Sequence, residues 1–128
     1  MSKRIEWVNR ALMFSPYYIG LCKTDDAFKR ELKRMKVPRE DWPKFVLNEH
    51  SDATVHRFQT YDGKLCVIVC IRKARHKTRH AINGLLVHES MHIWRWIREN
   101  IGEHEPSSEF EAYSVQNISQ SLMEAYWK

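Results

Sequence analysis

Cysteine, long apolar runs and secretion signals are what this 128-residue chain has least of. Its three cysteines, Cys22, Cys66 and Cys70, are odd in number and none stands in a C-x-x-C pair. That argues against a disulfide framework and against a cysteine-type zinc site. Three small buried thiols are expected instead. The longest apolar run, Leu65 to Ile71, falls far short of the roughly 18 residues of a membrane span. The N-terminus, Met1-Ser2-Lys3-Arg4-Ile5-Glu6, lacks the apolar stretch and small-residue cleavage site of a signal peptide. A cytoplasmic protein with no membrane partner is the expectation. No internal repeat, low-complexity tract or linker interrupts the chain, so residues 1–128 read as one domain.

What is present excludes disorder. Hydrophobic residues make up 43% of the chain and aromatics 12%, enough to bury a single core. The net charge of +5 permits a nucleic-acid or acidic partner without requiring one.

The apolar spacing at Ile5, Val8, Ala11 and Leu12 predicts a helix over residues 3–14, ended by Ser15-Pro16. Thr24-Asp25 opens a second helix that runs to about Met35. Its Lys29, Arg30, Lys33, Arg34 and Lys36 read as a solvated face. Ala53 to Thr60 alternates as a strand, Asp62-Gly63 marks a hairpin, and Leu65 to Ile71 reads as a central strand. A third strand is expected near Phe45-Val46-Leu47, because a two-stranded hairpin is marginal alone. The basic stretch Arg72 to His80 reads as a solvated connector, with a phosphate-contacting loop as the functional alternative. A long helix follows from about Thr78 to Asn100, closed near Gly102. The last helix runs from about Ser107 to Tyr126, with Ser108 and Glu111 spaced as a capping box.

The long helix carries His88-Glu89-Ser90-Met91-His92, an H-E-x-x-H pattern. With 7 His and 11 Glu in the chain, a shuffled sequence would contain it in ~3% of cases, so context must support it. Imidazoles at i and i+4 lie about 5–6 Å apart on one helix face, close enough to chelate one Zn²⁺. A hydrolytic zinc needs three protein ligands and an open position for water. Glu89 would then face the metal as general base without binding it. The tight version with a third histidine six residues on is excluded, since Arg95 and Arg98 hold its Gly and His positions. What remains is a carboxylate on the next helix. Glu109 and Glu111, 17 and 19 residues after His92, are the two candidates.

H-E-x-x-H followed by Glu109-Phe110-Glu111-Ala112-Tyr113-Ser114-Val115-Gln116 resembles the zincin metallopeptidases of the glutamate-ligand type. The short chain is similar to small zincin-like proteins of tailed phages and prophages, which implies the host cytoplasm. The resemblance covers residues 78–126. It implies His88, His92 and Glu109 as zinc ligands and Glu89 as the base. It also implies an α+β minimal zincin-like domain: N-terminal helices, a small antiparallel sheet with a hairpin, the H-E-x-x-H helix and a C-terminal ligand helix. Where that family often has Asp or Asn, this chain has Tyr113. Against Glu109, the apolar stripe Val115, Ile118 and Leu122 includes Glu111, and a Glu-Ala-x-Ser pattern as in thermolysin-like zincins also selects Glu111. His104 is the only further ligand candidate, from the turn, and Tyr113 a candidate donor to an oxyanion.

Three functions compete. A zinc-dependent peptidase acting on a protein or peptide leads. A zinc-binding but non-catalytic phage structural or regulatory protein comes second, disfavoured by the presence of Glu89. A basic nucleic-acid-binding module with structural zinc comes third.

Overall fold

The computed structural model describes residues 4–8, 17–48, 50–60, 62–72 and 77–128. In chain order it forms strands β1 (Glu6–Trp7) and β2 (Tyr17–Cys22), helix α1 (Asp25–Arg34), a short 3-10 turn at Arg39–Asp41, strands β3 (Ala53–Gln59) and β4 (Leu65–Ile71), and helices α2 (Arg79–Asn100) and α3 (Ser108–Trp127). The strands make one sheet in the order β1-β2-β4-β3. Among the described residues the architecture is mixed, with three α-helices and a four-stranded sheet. The expected all-antiparallel sheet is corrected: β2 runs parallel to β4, while β1–β2 and β3–β4 are antiparallel.

Period-2 alternation sorts the sheet's side chains to two helical layers. Tyr17, Ile19 and Leu21 of β2 and Val67, Val69 and Ile71 of β4 face α2 and α3. Cys22, Cys66, Ile68 and Cys70 face α1, where they meet Ala27, Phe28, Leu32 and Met35. β4 is buried on both faces, as its unbroken apolar run requires of a central strand. All three cysteines are free and buried. No helix among the described residues is long and apolar enough to cross a membrane.

Two expected elements are replaced. Residues 5–8 are not helical: Glu6 and Trp7 pair with Leu21 and Gly20, and Val8 N–H donates to the Ile19 carbonyl at 2.9 Å. Ile5 packs into the α1 layer and Val8 into the α2–α3 layer, so the spacing that resembled a helix is that of a strand with two covered faces. Residues 9–14 of the expected helix lie outside the described residues. Phe45 to Leu47 forms bends and not a strand. Its place beside β4 is taken by β2, and Phe45 instead accepts a 3.0 Å hydrogen bond from His56 and sets its ring edge-on to Phe28.

The helices follow their capping signals. Thr24 accepts from Ala27 N–H at 3.1 Å to open α1, with Asp25 and Asp26 in the first turn and Lys33 and Arg34 in the last, as the helix dipole favours. Thr78 caps α2 in the same way through Ala81. Ile82, Leu86, Ile93, Trp94 and Ile97 bury one side of α2, each contributing about 1.5–3 kcal/mol of burial free energy. Gly102 ends α2 at φ 77°, with Glu103 N–H reaching the Arg98 carbonyl and Gly102 N–H the Glu99 carbonyl. The capping box through Ser108 is corrected. Ser107 is the cap of α3, accepting from Phe110 N–H at 3.3 Å, and Ser108 is already the first helical residue.

Candidate metal centre on α2

α2 places His88, Glu89 and His92 within two turns, with Glu89 turned further toward the core than the two histidines. His88 and His92 are exposed, whereas Glu89 is buried at 5% accessibility. The imidazole rings stand 5.0 Å apart between centroids and 72° between planes, with their Nε2 atoms 3.3 Å apart. Two nitrogens on a tetrahedral zinc, each ~2.0–2.1 Å from the metal, are about 3.3–3.4 Å from one another. The imidazole pair therefore fits a zinc ion. In the metal-free chain the same distance accommodates an Nε2–H···Nε2 hydrogen bond between complementary tautomers.

Burial pushes the Glu89 carboxyl above its ordinary range, against the opposing pull of the two imidazoles. A carboxyl so placed holds a proton more readily than a solvated one.

His88, His92 and Trp96 follow at i, i+4 and i+8, forming one ridge. That ridge reaches β3, where the Arg57 guanidinium lies 5.0 Å from the Trp96 ring. β3 is the outermost strand on its side of the sheet. Trp96, at the end of that ridge, thus stands against the edge strand.

The α3 carboxylates are placed elsewhere. Glu111 Oε2 accepts from Trp94 Nε1 at 2.9 Å and lies 3.5 Å from Arg98 Nη1. Farther along, Trp127 Nε1 donates to Asn83 Oδ1 at 2.8 Å. At about 100° per residue, His88 and His92 sit roughly 120° round α2 from Trp94 and Arg98. Glu109 is exposed in the first turn of α3. Among the described residues, no group of three or more His, Cys, Asp or Glu side chains is gathered as a metal site. The structure brings His88 and His92 together, sets Glu89 near enough to feel both imidazoles, and engages Glu111 with Trp94 and Arg98. His104 and Tyr113 are exposed.

Trp94, Arg98 and Arg57 are the residues whose part was not read from sequence. A buried indole needs an acceptor for its N–H. That requirement, applied to Trp94, points to a polar partner on the neighbouring helix.

The basic segment divides. Residues 73–76, including His76, lie outside the described residues. Of those described, Arg72 donates to the Asn48 carbonyl at 2.9 Å, Lys77 pairs with Asp52 at 3.0 Å, and Arg79 stacks 4.2 Å over Trp127. These cations are engaged within the chain.

No protein-family model matches this chain, and neither a curated protein nor a solved structure does.

Proposed function

We propose that this chain is a zinc-dependent metallopeptidase, with His88 and His92 holding the metal and Glu89 acting as general base. The observation that carries the proposal is the 3.3 Å separation of the two Nε2 atoms, the spacing of neighbouring ligands on tetrahedral zinc. When bound, zinc supplies a Lewis acid that makes water nucleophilic near neutral pH. Glu89 accepts the proton of that water at a carboxylate oxygen and returns it to the leaving amine. Its raised proton affinity suits a group that must keep the proton between those two events. In this reading an extended peptide adds as a further strand to β3, whose Arg57 meets Trp96 on the ridge that His88 and His92 begin. Three free, buried cysteines support a reducing, cytoplasmic setting.

Glu109 is the third ligand in this reading, and Glu111 the alternative. The Glu111 carboxylate already serves Trp94 and Arg98, whereas the Glu109 side chain is exposed in the first turn of α3.

The engagement of Glu111 by Trp94 and Arg98 favours one second reading, a zinc-binding protein without hydrolytic activity. Cleavage of a peptide library by zinc-loaded wild type, lost in Glu89→Gln with zinc retained, supports the peptidase. Zinc binding with no cleavage by wild type supports the second reading.

A further inference from the structure

A cavity of about 520 Å³ opens on the face of the sheet opposite α2, between the end of α1, β1–β2 and the β3–β4 turn. Small-molecule sites typically occupy ~300–1,000 Å³. Among the described residues, the aromatic side chains Trp7 and Tyr18 line it, and both are open, at 41% and 38% accessibility. Trp7 stands opposite Gly20 in the β1–β2 ladder. A Cβ at position 20 would come 2.5 Å from Ile5 Cδ1 and 3.1 Å from Trp7 Cε3, so glycine lets the indole close against β2. Tyr18 lies two residues earlier on the same face of that strand. Met35 and Cys66, both buried and with sulfurs 3.5 Å apart, add a polarisable apolar wall.

Charge accompanies these rings. Lys64 Nζ lies 5.9 Å from the centre of the Tyr18 ring and 3.7 Å from Asp62 Oδ2. Both members of that ion pair are exposed, and such pairs contribute only ~0–1 kcal/mol, so Lys64 can exchange Asp62 for a stronger anion at little cost. Arg34, held by Glu31 through Nε and Nη2, adds a second cation to the lining. Thr60 Oγ1 donates to Asp62. Arg34 and Lys64 face Asp62 among these lining groups, and Glu31 behind Arg34 balances the remaining charge, which suits a single phosphate better than a polyphosphate.

We propose that this cavity binds a nucleotide unit, with its base stacked on Trp7 and Tyr18 and its phosphate held by Lys64 and Arg34. Stacking faces beside cations are the chemistry by which proteins take up bases with a phosphate and little sequence preference. Asp62 can accept from an exocyclic amino group of the base. The unit comes either as a free nucleoside monophosphate or as the end of a single strand. The site is independent of the metal centre.

Titration of the full chain by calorimetry, with the Trp7 indole N–H followed by NMR, tests the proposal. Adenosine monophosphate should bind saturably and shift that resonance. Adenosine and inorganic phosphate should each bind at least about tenfold more weakly. Lys64→Glu, an exposed substitution, should weaken the monophosphate about tenfold or more with an unchanged circular dichroism spectrum, and Trp7→Ala should do the same. A 5′-phosphorylated oligonucleotide binding more tightly than the monophosphate identifies a strand end as the source; equal or weaker binding identifies the free nucleotide. Absence of saturable binding by both up to ~5 mM overturns the proposal. So does binding that Lys64→Glu and Trp7→Ala leave unchanged.

Discussion

The indole N–H of Trp94 donates to Glu111 across the α2–α3 interface at 2.9 Å. Trp94 is fully buried, so this polar group must be satisfied inside the protein, and Glu111 satisfies it. The contact joins the two helices and sets the role of Glu111. Its carboxylate oxygen faces Trp94 and Arg98, on a different flank of α2 from His88 and His92.

Glu111→Ala should destabilise the metal-free chain by about 1–3 kcal/mol, because it leaves the Trp94 donor buried and unpaired. Glu111→Gln keeps an acceptor and should cost less. Urea midpoints, with the slope unchanged, measure both. Equal losses for the two variants would show that the hydrogen bond is not what Glu111 contributes.

Glu89→Gln should lower kcat on a cleaved peptide by ~10²–10⁴, the usual contribution of a positioned base, while zinc affinity stays near wild type. Steady-state kinetics with parallel metal analysis separates the two effects. Undiminished turnover would remove Glu89 from the chemistry.

The same residue makes stability depend on pH. Burial holds its carboxyl above the ordinary range, so the folded chain keeps a proton that the unfolded chain releases near pH ~4.3. The stability this group contributes is fully present below that pH and is lost as pH rises through the raised folded value. Glu89→Gln has no such proton to lose. In the absence of metal, its stability relative to wild type should therefore grow between pH ~4 and pH ~7. Urea midpoints across that range check the trend, and parallel curves for the two proteins would contradict it.

Gly102→Ala should cost about 1 kcal/mol or more, since a φ of 77° at the end of α2 is strained for any residue with a Cβ. Thermal unfolding reads this directly. A neutral substitution would mean that the chain leaves α2 along another path.

Much of the fold was legible where local chemistry and tertiary packing agree. Thr24, Thr78 and Ser107 cap the helices they were expected to begin, and Gly102 closes α2. The β3–β4 hairpin was legible in its Asp62-Gly63 turn, and β4 in its apolar run. The N-terminal strand was not, because Ile5 and Val8 are spaced alike for a helix and for a strand packed on both faces. β2 escaped notice because its neighbour is β4, more than 40 residues on, and parallel pairing leaves no turn signal in the sequence. At the site, the convergence of His88 and His92 followed from their i, i+4 spacing. The orientation of α3 depends on Trp94, Arg98 and Asn83, which only the packed helices bring to one flank.

Zinc stoichiometry of the purified chain bears most directly on the metal centre. After loading and desalting, wild type and Glu111→Gln should each retain stoichiometric zinc, and His88→Ala, His92→Ala and Glu109→Gln should lose it. A wild-type chain that holds no zinc, or a His92→Ala variant that keeps it, would contradict the proposed centre.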